Sequence, residues 1–316
     1  MFLEGKTIVV TGATGLIGKT LVQELIRNGG NVIAVVRNLN KARSFFSSYE
    51  NMELVKNDLS SDIPIMVSTP IDYIVHAGCP TSSEYMRSHP VETIQTIING
   101  TRKVLELAKE RNVKSVVYLS STEVYGTITD DTNAVTEDNV GPMVLLNTRS
   151  SYPMGKRMAE TLCYSYYKEY NVPVCIARLT QTFGTGVNIE EDNRVFAQFA
   201  RSALRHENIV LHTTGSTRRM YLHTQDAVSA IICLIQKGKS GEAYNVANED
   251  TYISIKEMAE FVRNHFAPTQ KVVVKIQENT PYLSEIHLRL STAKICQLGW
   301  TPRYGLLNMY NNLIAN

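Results

Sequence analysis

The chain lacks the features that mark several protein classes. Its five cysteines, Cys79, Cys163, Cys175, Cys233 and Cys296, stand singly, with no CxxC pair. That scatter excludes a disulfide framework or a zinc ribbon and reads as buried thiols in a reducing cytoplasm. His212, His223 and His287 have no metal-ligand spacing, so no metal is expected. No apolar run approaches the roughly 20 residues that span a bilayer. The opening MFLEGKTIVV enters a strand pattern at once, so no signal peptide is expected. A net charge of only +2 leaves no electrostatic footprint for nucleic acid or a membrane surface. What is present is an ordinary globular composition, 43% hydrophobic and 20% charged over 316 residues, enough for a large core and two lobes.

The organising stretch is KTIVVTGATGLIG, Lys6 to Gly18. An apolar strand over Thr7 to Val10 meets a glycine turn, and an amphipathic helix follows over Lys19 to Arg27, with Leu21, Val22, Leu25 and Ile26 on one stripe. The glycines are spaced GxxGxxG. By analogy with the dinucleotide fingerprint, Gly12 allows the tight turn, Gly15 lets backbone approach a pyrophosphate, and Gly18 lets helix pack on sheet. Gly12, Thr14, Gly15, Leu16, Ile17 and Gly18 are therefore the candidate phosphate cradle. A second strand, Asn31 to Val36, ends at Arg37 with Lys41 and Arg43 close behind. An acidic residue there would favour NAD; arginine accommodates the 2′-phosphate of NADP, so the cofactor is NAD or NADP with a lean to NADP. After a third strand, Glu53 to Val55, Asp58-Leu59 offers a carboxylate to the adenine amino group or an ordinary loop acid. A fourth strand, Ile71 to His76, runs into Ala77-Gly78-Cys79-Pro80, small residues that leave space beside a cofactor. Thr81, Ser82 and Ser83 then offer hydroxyls for a diphosphate or sugar, or a helix cap.

A helix over Val91 to Arg111 precedes a fifth strand, Val113 to Leu119, which ends in Ser120-Ser121-Thr122-Glu123-Val124-Tyr125-Gly126. Ligand crevices lie at the carboxyl ends of such strands, so these polar residues read as functional. Thr127 to Arg149 is polar and irregular. The next helix carries Tyr152 and Lys156, four apart on one face. A free tyrosine has a pKa of about 10, and a cation one turn away favours the phenolate. With the Ser121 hydroxyl, that pair can take a proton from an alcohol while hydride leaves the same carbon. The expected fold is α/β: a Rossmann-type doubly wound parallel sheet over 1–180, with later returns near 215–250, and a smaller interwoven α/β substrate lobe over 181–316. Further elements are expected over Val172 to Leu179, Arg194 to Glu207, Ile209 to His212, Ala227 to Gln236 (begun by Asp226), Ala243 to Val246, Ile255 to His265 and Val272 to Ile276. Tyr164, Tyr166, Tyr167 and Tyr170 read as core and dimer surface.

TGATGLIG, SSTEVYG and YPMGKRMAE together resemble the extended short-chain dehydrogenase/reductases of the NAD-dependent epimerase/dehydratase family. More narrowly, GCPTSSEYM, ARLTQTFG, GSTRRMYLHTQDAV and LSTAKICQLGW resemble UDP-glucuronate decarboxylases and dTDP-glucose 4,6-dehydratases. The resemblance runs over essentially the whole chain. It implies a cytoplasmic enzyme with a nucleotide-sugar substrate and a 4-keto intermediate. Ser121 would be the catalytic hydroxyl, Tyr152 the acid/base, Lys156 its partner, and Glu123 would act on the carbon beside the ketone. Arg219 would meet the nucleotide diphosphate, with Thr81, Ser82, Thr122 and Gln181 in the substrate site. A homodimer through the helices starting near Val91 and Tyr152 is also implied.

The chain departs from the family pattern at Ile97, where asparagine is usual, and at Thr122-Glu123, where dehydratases carry Asp-Glu. Gln181 replaces asparagine, no Pro-Arg follows Gly184, and Arg289 does not match the register of the family arginine. Three readings stay open: an epimerase, decarboxylase or dehydratase with a recycled cofactor; an NADP(H)-dependent keto-sugar reductase; and a non-catalytic dinucleotide-binding regulator.

Overall fold

The computed structural model describes residues 2–277 and 285–314. Strand β1 (Thr7–Thr11) leads into α1 (Leu16–Arg27), followed by β2 (Asn31–Val36), α2 (Leu39–Phe46), β3 (Met52–Lys56) and β4 (Tyr73–His76). Next come α3 (Ser83–Ser88), α4 (Pro90–Arg111), β5 (Ser115–Ser121), α5 (Ser151–Tyr170) and β6 (Val174–Leu179). The boundaries are written locally. Asn38 and Ser82 cap α2 and α3, Pro90 opens α4, and Asn112 and Asn171 close α4 and α5 in the left-handed conformation that asparagine tolerates. The second half adds β7 (Gln181–Phe183), α6 (Val195–Leu204), β8 (Ile209–Leu211), β9 (Arg218–His223), α7 (Thr224–Lys237) and β10 (Ala243–Val246). Then follow β11 (Asn248–Ser254), α8 (Ile255–Phe266), β12 (Val272–Val274), β13 (His287–Leu288), α9 (Ala293–Cys296) and α10 (Leu306–Ile314).

Seven parallel strands form the main sheet in the order β3-β2-β1-β4-β5-β6-β10. Buried strands of this kind read as continuous apolar runs because helices cover both faces. On one face, Leu21 and Leu25 of α1 and Ile231 and Leu234 of α7 pack on Ile8, Val10 and Val117. On the other, Val104 and Leu105 of α4 and Ala159 and Cys163 of α5 pack on Val9, Ile74 and Val116. The strand order reverses between β1 and β4, so their carboxyl ends open into a crevice. A smaller sheet, β11-β9-β13 with β7 on β9, and the pair β8–β12 flank that end. Their core is built on Phe183, stacked on Phe196 at 4.2 Å, with Tyr221, Met258 and Tyr310 around it.

The structure shifts several expectations. The fifth strand runs from Ser115 to Ser121 rather than from Val113 to Leu119, because Ser120 and Ser121 still pair with Arg178 and Leu179. Strand β9 and helix α10 occupy stretches to which the sequence reading assigns no element. Asp226 does not begin its helix: α7 starts at Thr224 and is capped by His223. The Asp226 carboxylate instead accepts N–H bonds from Arg303 and Tyr304 at 3.0 Å each, tying the C-terminal segment to the helix. Of the cysteines, Cys163 and Cys175 are buried and the other three are half-buried; all are free. Tyr166 is buried, whereas Tyr164 and Tyr170 are exposed. Among the described residues no helix is long and apolar enough to cross a membrane, and no group of acidic, histidine and cysteine side chains could hold a metal ion.

Candidate active site

The glycine turn sits at the strand-order reversal. Gly12 has φ +67°, and a Cβ there would meet the Ala77 carbonyl oxygen at 2.7 Å and Gly78 Cα at 2.8 Å. A Cβ on Gly18 would lie 2.2 Å from the Gly12 oxygen. Glycine is thus required both for the turn and for the approach of helix to strand. The first turn of α1 has no acidic residue, and Gly15 at its N-cap brings no side chain to the free N–H groups. That is the electrostatics of a phosphate site. Thr14, Leu16 and Ile17 lie on the same turn. Leu59 wedges between two further glycines: a Cβ on Gly78 would strike its Cδ1 at 2.4 Å, and one on Gly100 would meet its Cβ at 3.1 Å. Ala77 and Gly78 follow β4 directly.

The 57–61 loop is pinned from below by Lys103 of α4. Its ammonium donates to the Asp58 carbonyl at 2.7 Å and to Asn57 Oδ1 and Ser61 Oγ at 3.3 Å each. In the sequence Lys103 reads as one more charge on a helix, and nothing marks it as buried. Asp58 accepts from Ser60 N and Oγ, which holds its carboxyl below the usual range, with a smaller contribution from the Arg37 charge. Arg37 itself is exposed just past β2. Glycine cradle, uncapped helix end and packed Leu59 together fit a dinucleotide.

Ser121 ends β5, and its Oγ accepts from Glu123 N at 3.2 Å, closing the turn that carries Thr122 and Glu123. Tyr152 and Lys156 lie one turn apart on α5, both buried. Burial pushes the Tyr152 phenol well above the usual tyrosine range, and Cys79 and Glu123 add to the shift; Ser121 and Arg149 oppose it. Lys156 is anchored on the main chain of β5. Its Nζ donates to the Leu119 carbonyl at 2.7 Å and lies 5.9 Å from the Tyr152 ring centre.

Arg149 joins this group although the sequence reading passes over it. Its Nη2 pairs with Glu123 Oε1 at 2.7 Å, its guanidinium lies 5.6 Å from the Tyr152 ring centre, and its buried Nη1 has no hydrogen-bond partner among the described residues. The one local signal is a cation three residues before a helical tyrosine.

The remaining substrate candidates divide. Thr81 is exposed, and Ser82 Oγ is engaged in capping α3, accepting from Tyr85 N at 3.3 Å. Gln181 on β7 and Arg219 on β9 project from the same side of the small sheet, since Gln181 is paired with Tyr221. Gln181 Oε1, Arg219 Nε and the Tyr221 hydroxyl are all buried without a hydrogen-bond partner among the described residues. Such groups fit a polar ligand.

Fold and site define a nicotinamide dinucleotide enzyme of the short-chain dehydrogenase/reductase type, and the comparisons agree. The model of the NAD dependent epimerase/dehydratase family matches residues 8–247. The chain belongs to that family and to its nucleotide-sugar-modifying enzymes. It is 32% identical to UDP-glucuronic acid decarboxylase 6 of Arabidopsis thaliana over 317 residues, covering 96% of this chain and 87% of the relative. Its fold is similar to that of UDP-glucose 4-epimerase with UDP-glucose from Thermotoga maritima, with TM-score 0.83, 20% identity, and 98% and 97% of the two chains covered. RMD from Pseudomonas aeruginosa, complexed with NADPH, shares the fold at TM-score 0.76 and 20% identity over 98% of both chains.

One prediction concerns the buried histidine beneath the cradle. His76 bonds Thr11 Oγ1 at 2.7 Å and Thr101 Oγ1 at 3.3 Å, and burial, then the Lys156 charge, pushes it from 6.5 to about 3. Between those values the unfolded chain takes up a proton that the folded chain refuses, so stability falls as pH drops through that window. From pH 7 to 5 the native protein should lose about 2 kcal/mol more than His76→Gln in urea unfolding. Equal losses would remove His76 as a cause of acid instability.

Proposed function

We propose that the chain decarboxylates a UDP-hexuronate such as UDP-glucuronate through a 4-keto intermediate, with its cofactor recycled within one turnover. The observation that carries this reading is the unpartnered, buried Nη1 of Arg149 beside Tyr152 and Glu123, a cation suited to a substrate carboxylate. In this reading a dinucleotide held at the Gly12–Gly18 cradle would supply reversible hydride exchange at the sugar C4. Tyr152 takes the 4-hydroxyl proton, Lys156 stabilises the phenolate, and Ser121 hydrogen-bonds the developing carbonyl. The C5 carboxylate is then β to a ketone. Its C–C bond breaks, carbon dioxide leaves, and the electron pair moves onto the C4 oxygen as an enolate. Protonation at C5, the step this reading gives to Glu123, restores the ketone before it is reduced. Gln181 and Arg219 receive the nucleotide diphosphate in the 181–316 lobe, with Thr81, Ser82 and Thr122 at the sugar end.

Two further assignments belong to the same reading. Arg37, with Lys41 and Arg43, recognises the 2′-phosphate of NADP, because no acidic residue closes β2. The chain forms a homodimer through α4 and α5, whose exposed Val91, Ile94, Met158 and Tyr164 suit an apolar face. The five free thiols fit a reducing compartment such as the cytoplasm.

Incubation with UDP-glucuronate and NAD or NADP should give a product lighter by carbon dioxide, with no net cofactor reduction. Tyr152→Phe should abolish it. Retained activity would take Tyr152 out of the acid/base role, and stoichiometric consumption of NADPH on a keto-sugar would favour the reductase reading that Arg37 supports. Fluorescence titration should show NADPH bound more tightly than NADH, with the preference reversed by Arg37→Asp; an unaltered ratio would dismiss the 2′-phosphate assignment. Sedimentation should give a dimer that Ile94→Asp dissociates, and a native monomer would refute the interface.

A further inference from the structure

The Lys156 ammonium is held in an unusual way. The residue is 2% exposed. An ammonium has three donors, and burying one without compensation is costly. One donor goes to the Leu119 carbonyl. The nearby carboxylates are engaged elsewhere: Glu160 with Arg178 and Ser120, Glu123 with Arg149. Of the two aromatic rings beside it, that of Tyr118 on β5 is the nearer, 4.7 Å from Nζ, against 5.9 Å for Tyr152. Tyr118 is 1% exposed. Its ring rests against His76 at 5.5 Å, and its hydroxyl is buried with no hydrogen-bond partner among the described residues.

We infer that Tyr118 is a positioning residue for Lys156: its ring face, in place of a carboxylate, holds the buried ammonium where its charge reaches the Tyr152 phenolate. Aromatic faces attract cations most strongly when both are desolvated, which is the case here. A carboxylate in the same place would cancel the charge that Tyr152 needs; a ring holds the cation and leaves its charge uncancelled. The other titratable groups around the pair are His76 on β4, Cys79 after it, and Tyr152, Glu160 and Cys163 on α5. Burial and the Lys156 charge keep His76 neutral, so no second cation competes for the ring. The hydroxyl takes no part, which makes phenylalanine the conservative replacement.

The assignment rests on the acid/base role proposed for Tyr152, and its test needs no turnover. With oxidised dinucleotide bound, the tyrosinate ultraviolet band is titrated for each protein against its Tyr152→Phe counterpart, which isolates Tyr152. Tyr118→Phe should titrate with the native protein. Tyr118→Leu and Tyr118→Met, which keep apolar bulk and lose the ring, should titrate about one pH unit higher. The rising limb of the pH–rate profile on UDP-glucuronate should follow the same ranking. A native midpoint in both aliphatic variants overturns the inference. So does a shift in Tyr118→Phe equal to theirs, which would place the effect in the hydroxyl. If Tyr118→Leu does not fold, Tyr118→Met decides. A wrong sugar substrate would silence the rate profile and leave the titration intact, so the two failures are told apart.

Discussion

The geometry of the site depends on the buried ion pair between Arg178 of β6 and Glu160 of α5. Arg178 Nη2 meets Glu160 Oε2 at 2.7 Å, Nε reaches both carboxylate oxygens, and Nη1 donates to the Tyr125 hydroxyl at 3.0 Å and the Glu137 carbonyl at 2.6 Å. Glu160 also accepts from Ser120 Oγ at 2.5 Å, and Tyr125 donates to Asn245 Oδ1 at 2.6 Å. Desolvating two charges is repaid only when every donor and acceptor is used, and here the network is filled. Stranding either partner would cost about 3–5 kcal/mol, comparable with much of a domain's net stability. The pair fixes more than stability. Ser120 is the residue before Ser121, and Glu160 lies one turn beyond Lys156. One network therefore sets the distance between the strand end and the helix on which the proposed chemistry relies.

The two buried cations of this region are held by opposite means. Arg178 is neutralised by a carboxylate and spreads its remaining donors over fixed oxygens. Lys156 has a carbonyl and a ring face. The proposed chemistry accounts for the difference: a structural charge is best cancelled, and a charge meant to act on a neighbour is best left uncancelled but held. Arg149 lies between these cases, with one arm on Glu123 and one without a partner among the described residues. A half-satisfied buried guanidinium is expensive in the free protein, and that expense is what an anionic ligand relieves.

Much of the architecture was legible in the sequence because its determinants are local. The β1–turn–α1 unit is encoded in one unbroken run, Thr7 to Arg27, and the steric reasons for Gly12 and Gly18 lie within that unit and the loop after β4. Tyr152 and Lys156 were legible because helical spacing fixes their relation. What stayed hidden depends on partners far along the chain. Lys103 matters through a loop some forty residues earlier, Arg149 through a carboxylate on another strand end, and Tyr118 through an ammonium on a later helix. In sequence these are a surface-like lysine, a loop arginine and a core aromatic. Strand β9 was missed for a related reason. Its leading Arg218-Arg219 reads as a charged loop until pairing with β7, β11 and β13 places it inside a sheet.

This division between local and distant determinants also orders the functional claims. The fold and the dinucleotide cradle rest on backbone constraints that tolerate little change, since a single Cβ at Gly12 or Gly18 collides with main chain. The proposed substrate site rests on side chains from separate segments, Arg149, Gln181 and Arg219, each of which can change without disturbing the sheet. Ile97 and Gln181 are such changes, and neither breaks the packing: Ile97 lies buried among the α4 and α5 side chains, and Gln181 keeps its place in β7. A scaffold of this kind can alter its substrate chemistry while its cofactor site stays fixed, so the chain's chemistry is to be sought in the polar atoms that its own fold leaves unpaired.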